Sequence, residues 1–363
     1  MNGRTYGVAV IGAGDRGTAY ARAWSRVHQV RLVSVCDLIP ERRYRLQALF
    51  GFQWSTADYR EAIRRDEVDI VTVCVPAALH VEIGRFALEL GKHVLMEKPM
   101  ALSLAEATAV TEMAAHRGLK LGLGFQYRYI STFRKVKKAL DAGWLGSPTF
   151  VQFADIRQIR AHKPAMHDLK AGNGGPIVDM CCHFTDLMRW YFGTDPVRVM
   201  AVNRIFAQCR PELMSISMKA PDTSAIIIEY MGGHTGQILL CWGLPPGIVG
   251  TLDHRILGPQ GILTVGQDGI VSVLLEDGER VTITLDSEEE EKGLDNIDVE
   301  QSTYSVVLDF LAAIEENRQP RTGGLDGQIA LATSLAALKS GRLGQVVTIE
   351  EIMCERPTAA DFA

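Results

Sequence analysis

Residues 6–17 read YGVAVIGAGDRG, and this stretch decides the fold. Positions 6–11 are an apolar run of strand length. A G-x-G-x-x-G pattern follows at once and opens a helix. That is the context in which the motif carries meaning. Gly12 permits a tight turn, Gly14 lets backbone approach a pyrophosphate, and Gly17 lets helix and strand pack. The N–H groups near Asp15 and Arg16, at the positive end of the helix dipole, favour phosphate. Asp37 stands 20 residues past Gly17, at the end of a second apolar strand. A carboxylate there accepts hydrogen bonds from a ribose 2′-OH and repels a 2′-phosphate, so NAD is preferred to NADP. Arg42 and Arg43, one turn on, soften that preference. The competing readings are a bare packing turn and, for Asp37, a helix cap before IPERRYRL.

Outward from this stretch the chain alternates. Strands are expected at 6–11, 30–36, 68–74, 93–96 and 119–125. Helices are expected at 18–28, 41–50, 81–90 and 103–116. Strands this evenly apolar, separated by amphipathic helices, form a parallel sheet covered on both faces, a doubly wound Rossmann domain over residues 1–125. The pattern then changes. Helices are expected at 131–142 and 177–192 and a strand at 149–153. From 197 to 285 strands alternate with turn signals such as MGGHTG, GPQG, GQDG and EDGE. Residues 126–363 therefore read as a second α/β domain with a large, mostly antiparallel open sheet. SEEEEKG at 287–293 is a solvated charge run. Helices near 302–316 and 326–340 close the chain.

The bulk numbers exclude several classes. With 363 residues, two domains are expected. The net charge is −5, from 38 basic and 43 acidic residues without a basic stripe. Nucleic acid and anionic membrane are therefore not expected partners. No apolar run approaches the roughly 20 residues of a membrane span. The start runs straight into a strand without a signal-peptide layout. Seven cysteines without regular spacing are not a disulfide framework, so a cytoplasmic location is expected.

Four segments carry a resemblance: GAGDRG at 12–17, VCVPAALH at 73–80, GKHVLMEKPMALSLAEA at 91–107 and GGPIVDMCCHFTDLMRW at 174–190. With GQIALATSLAALKSGRLGQVV near the end, the chain resembles the glucose–fructose oxidoreductase, inositol dehydrogenase and rhizopine-catabolism (Gfo/Idh/MocA) family over essentially its whole length. Glu97-Lys98-Pro99 is the most specific match. The resemblance implies NAD(P)-dependent oxidation or reduction of a sugar or cyclitol hydroxyl. It places Val75, Pro76, His80, Glu97 and Lys98 at the cofactor and Lys98, Gln126, Arg128, Asp179 and His183 at the substrate. It implies a homodimer or homotetramer built through the C-terminal sheet. Departures are Asn173-Gly174-Gly175 before the second-domain helix, Ala77 for a frequent polar residue, and Gln126 where asparagine is common.

The residues themselves carry a mechanism. Oxidising a secondary alcohol needs a base for the hydroxyl proton and a positive charge for the developing alkoxide. Lys98 follows the strand at 93–96, where doubly wound domains bind ligands. Its ammonium meets the second need, against the reading of a surface Lys–Glu pair. Asp179 and His183, at i and i+4, share one helical face. His183 is the candidate base. Asp179 either holds a substrate hydroxyl or favours the charged imidazole. Cys181 and Cys182 read as small packing residues. His162, His167, Asp179 and His183 are metal-ligand types, but they lack ligand spacing, and no metal is expected. Tyr127, Trp242 and His254 are either substrate contacts or core. The expectation is an NAD-dependent dehydrogenase of a cyclitol, sugar or glycoside with Lys98, Asp179 and His183 as its catalytic group. The rivals are an NAD-dependent glycosidase using transient oxidation and a non-catalytic NAD-binding sugar sensor.

Overall fold

The computed structural model describes residues 4–170, 172–266, 269–285 and 299–362. The chain divides into two compact units. The first comprises Met1–Ala101, Ala105–Gln126 and Val299–Gln328. Its elements are β1 (Tyr6–Ile11), α1 (Asp15–Ser25), β2 (Val30–Cys36), α2 (Pro40–Phe50), β3 (Trp54–Thr56), α3 (Tyr59–Ile63), β4 (Ile70–Val73), α4 (His80–Glu89), β5 (His93–Met96), α5 (Leu104–His116) and β6 (Leu121–Leu123). The six strands pair in parallel in the order β3-β2-β1-β4-β5-β6. β1 and β4 are buried at every residue, as strands covered on both faces must be. The order reverses at β1 and β4, which is where such sheets bind ligands. Trp24 of α1 is fully buried and its Nε1 donates to Thr72 Oγ1 at 2.9 Å, pinning α1 to β4.

The expected Rossmann sheet is present, with one strand more than its five. β3 has three residues and α3 five, too short for a period to register. α1 also begins three residues earlier than expected, directly inside the glycine turn.

The second unit comprises Leu102–Leu104, Tyr127–Asp298 and Ile329–Ala363. It contains α6 (Ser131–Asp141), β7 (Phe150–Gln158), α7 (Gly175–Phe192), β8 (Pro196–Arg204), β9 (Thr223–Tyr230), β10 (Thr235–Leu244), β11 (Thr251–Gly258), β12 (Gly261–Val265), β13 (Val271–Leu275) and β14 (Arg280–Thr282). The later elements are α8 (Val299–Glu315), α9 (Gly324–Leu343), β15 (Val347–Thr348) and α10 (Ile349–Glu355). α8 groups with the first unit and packs on α1, with Arg26 stacked 3.9 Å over the Tyr304 ring. The chain thus returns to its first unit, where the sequence reading had a single cut after residue 125.

The second sheet runs β14-β13-β12-β11-β7-β10-β9-β8-β15. Every pairing is antiparallel except β7 with β10, in line with the expected mostly antiparallel sheet. One face carries Val151, Phe153, Ile238, Leu240 and Trp242, all buried. Helix α7 packs there, its Phe184 stacked on Phe153 at 4.5 Å. The opposite face carries Met200, Val202, Ile227 and Leu239, 36–49% exposed. β15 and α10 were not foreseen. The two residues of β15 join the sheet only through β8, at Val347–Val199 and Thr348–Arg198. The charge run at 287–293 lies outside the described residues.

Candidate active site

The three glycines of the turn divide by what requires them. A Cβ on Gly17 would meet the Gly12 carbonyl oxygen at 1.8 Å, and one on Gly12 would meet the Cys74 carbonyl at 2.7 Å. Gly12 also sits at φ +96°, where a side chain is strained. These two are demanded by the protein's own packing. A Cβ on Gly14 would meet nothing within 4 Å. Protein packing does not demand glycine there, whereas a phosphate lying on the backbone does. Gly14 is the N-cap of α1, and no side chain caps that helix start. The turn therefore fits a dinucleotide.

Asp37 braces the same turn. Its Oδ2 accepts the Ala13 N–H at 2.7 Å and its Oδ1 accepts the Ile39 N–H at 2.9 Å. It is not the N-cap of α2, which is Ile39. Each carboxylate oxygen has a second lone pair, so acceptor capacity remains for a ribose hydroxyl.

Arg16 and Glu97 make a contact the sequence did not show. Arg16 Nε donates to Glu97 Oε1 at 2.8 Å, and Nη2 lies 2.7 Å from the same oxygen. Glu97 is 4% exposed. Burial opposes the charge on Arg16, but Glu97 outweighs it and raises the guanidinium pKa. Glu97 Oε2 also accepts the Lys98 N–H at 3.2 Å. Glu97 is thus a buried anchor tying the end of β5 to the glycine turn, with Arg16 as its partner. His80 is buried at the start of α4. Its Nδ1 lies 2.9 Å from the Pro99 carbonyl oxygen and its Nε2 2.8 Å from that of Val75. Burial lowers its pKa, outweighing these two carbonyls. His80 therefore joins the loops after β4 and β5, while Pro76 is exposed and Val75 half-buried beside it. Lys98 is half-buried directly after that β5 end. Gln126 is buried, and its Oε1 meets no donor among the described residues.

In the second unit, α7 begins from Gly174 at φ +74° and Gly175 at φ +84°. A Cβ on Gly175 would meet Ala220 Cβ at 2.1 Å. Pro176 then starts the helix without losing a needed hydrogen bond. Asp179 and His183 follow, 2% and 3% exposed. Asn173 Nδ2 donates to Asp179 Oδ1 at 2.7 Å, fixing that carboxylate. The His183 ring stacks on Tyr127 at 4.3 Å, and Tyr127 stacks on Phe133 at 5.2 Å. Imidazole and carboxylate are thus both held in place. Asn173 was read only as a departure in a glycine triplet. A short amide before a glycine pair was the one available signal.

Arg128 forks onto Asp186, one turn beyond His183, with Nε 2.9 Å from Oδ2 and Nη2 on Oδ1. Both groups are nearly buried. The pair ties the segment carrying Tyr127 to α7. Cys181 and Cys182 are buried, and burial pushes the Cys181 thiol pKa up. His167 is buried and His162 exposed; no group of three metal-ligand side chains occurs among the described residues. Of the three open assignments, Trp242 is core, its Nε1 donating to Asp155 Oδ2 at 2.9 Å. His254 is also core, stacked 4.2 Å from Phe153, and burial lowers its pKa to about 3.

A parallel sheet with this glycine turn, in a chain whose second unit buries an acid and a histidine on one helix, fits a dinucleotide-binding protein of two units. Residues 6–125 match the oxidoreductase family with an NAD-binding Rossmann fold, and residues 133–264 match the GFO/IDH/MocA C-terminal domain. The chain belongs to the Gfo/Idh/MocA oxidoreductase family. It is 25% identical to the myo-inositol 2-dehydrogenase of Thermotoga maritima, over 95% of this chain and 99% of that protein. It is 28% identical to the inositol 2-dehydrogenase of Rhizobium meliloti, over 91% and 95%. Levoglucosan dehydrogenase, solved with NADH, superposes with a TM-score of 0.85 at 20% identity over 95% and 99% of the two chains.

Proposed function

We propose that the protein is an NAD-dependent dehydrogenase acting on a secondary hydroxyl of a polyhydroxylated ring. The observation that carries this is the buried Asp179–His183 arrangement on α7 in a chain whose first unit is an NAD-binding domain. Relatives named for inositols support the substrate class. NAD, when bound, supplies the hydride acceptor. On the turn that Gly12 and Gly17 shape, Gly14 and the N–H groups of Asp15 and Arg16 would hold its pyrophosphate, and Asp37 would take a ribose hydroxyl. Lys98 stabilises the developing alkoxide with its ammonium. His183 takes the hydroxyl proton, and Asp179, fixed by Asn173, favours the imidazolium that results.

The test is NADH absorbance with a panel of inositols, pyranoses and glycosides. Turnover of at least one member is expected. His183→Asn should lower kcat by about 10²–10⁴-fold. Tight NAD binding with no NADH from any member would overturn the dehydrogenase. Aglycone release from a chromogenic glycoside would then identify a redox-neutral glycosidase.

A further inference from the structure

Arg160 leaves the end of β7 in an unusual setting. Its neighbour Ile159 extends the sheet, its N–H donating to the Leu244 carbonyl at 2.9 Å. The Arg160 guanidinium lies 4.4 Å from the centroid of the buried Trp242 ring. Its guanidinium Nη1 lies 3.6 Å from Met166 Sδ, and the guanidinium meets no oxygen acceptor among the described residues. Arg157 lies over the same indole at 5.3 Å, but its charge is answered by Asp155, which also accepts the Trp242 Nε1–H. Both oxygens of Asp155 are thus engaged, one by Arg157 and one by the indole N–H. A half-buried guanidinium whose N–H groups meet no oxygen keeps donor capacity for a ligand that enters beside it. The space beside it is an open hollow of about 670 Å³, lined by Arg157, Arg160, His162, Gly250 and Thr251 among others. That size lies within the roughly 300–1,000 Å³ of ligand pockets. Burial and Arg157 lower the Arg160 pKa, and the carboxylates of Asp179 and Asp155 oppose this. Met166, which Arg160 touches, belongs to the turn at Pro164–His167 that packs on α7, the helix carrying Asp179 and His183.

We propose that Arg160 binds a carboxylate of the substrate, and that the ring oxidised is a sugar acid. A planar guanidinium already stacked on an indole is pre-organised for the planar, bidentate carboxylate. A monoanion fits better than a phosphate dianion, whose second negative charge would face Asp155 and Asp179. The proposal rests on the dehydrogenase reading above, and its test separates the two.

The enzyme is assayed with NAD on matched pairs, D-glucose against D-glucuronate and D-galactose against D-galacturonate. A preference in kcat/KM of about tenfold or more for one acid over its neutral partner is expected. Arg160→Gln should lower that kcat/KM at least about tenfold further than it lowers the neutral sugar's, chiefly through KM, with partial recovery in Arg160→Lys. Equal or better turnover of the neutral sugars would overturn the proposal without needing any variant to fold. So would an equal loss on both substrates in Arg160→Gln. If none of the four gives NADH, the dehydrogenase reading fails for them, and calorimetric titration of each uronate into NAD-saturated protein decides the carboxylate site by itself. Binding weakened in Arg160→Gln sustains it, and absence of binding refutes it.

Discussion

At the scale of single residues, the glycine turn separates what the fold demands from what a ligand demands. Gly17 is closed by the Gly12 carbonyl 1.8 Å from where a Cβ would stand, while Gly14 faces open space. Gly17→Ala should therefore destabilise the protein by about 1–3 kcal/mol or more through overpacking, seen as a fall in Tm. Gly14→Ala should leave Tm close to that of the parent and weaken NAD binding by about 1–3 kcal/mol, read by titration of NAD. If Gly14→Ala binds NAD normally, the assignment of that position to the pyrophosphate is wrong. His254 gives a second residue-scale expectation. It is enclosed by Phe153, Tyr191 and Phe133, and burial holds its pKa at about 3 against an ordinary 6.5. The unfolded chain takes up this proton first as pH falls. Stability contributed by neutral His254 is present above pH 6.5 and lost as pH drops toward 3, by up to about 1.4 kcal/mol per pH unit. His80 and His167, also lowered by burial, add to the slope. Denaturant titrations between pH 6.5 and 4 should show His254→Phe with a slope flatter by about one proton.

At the scale of elements, α7 is held by more than its apolar face. Arg128 reaches it from the segment before α6, and the fork onto Asp186 is nearly dry. Breaking a buried pair by removing one partner strands the other charge. Arg128→Leu alone should cost about 3–5 kcal/mol, measured by chemical unfolding. Arg128→Leu with Asp186→Leu should cost less, because no charge is left unmatched. Arg128 was expected at the substrate. The fork gives it a positioning task, since it fixes the segment carrying Tyr127, the ring on which His183 stacks. A similar brace operates in the first unit, where Glu97, the residue before Lys98, is tied to Arg16 of α1.

At the scale of the whole molecule, the uncovered face of the second sheet is the feature with a consequence for assembly. Met200 pairs with Ile227 across β8 and β9, and Leu239 pairs with Ala225 across β10 and β9, giving an apolar, side-by-side surface. The expected homodimer or homotetramer would cover it. Leu239→Lys should lower the mass measured by light scattering toward that of a single 39.9 kDa chain. An unchanged mass would place any assembly on another surface. Among the described residues no helix is long and apolar enough to cross a membrane.

The sequence alone determined the nucleotide half of this protein. A strand, a glycine turn and a helix follow one another within 20 residues, so local periodicity and backbone stereochemistry suffice to read them. The same holds for Asp179 and His183, whose shared face is fixed by the pitch of one helix. Only the tertiary structure decided the rest, because it depends on residues far apart in the chain. Arg16 and Glu97 are 81 positions apart, and no period links them. The loss of Trp242 and His254 from the list of substrate contacts follows from which face of β10 and β11 is covered, and that face is chosen by α7. The return of α8 to the first unit follows from its packing on α1. Arg160 was passed over for the same reason. A lone arginine after a strand is ordinary in sequence, and its meaning comes from the indole that Trp242 brings beneath it while Asp155 is committed to Arg157.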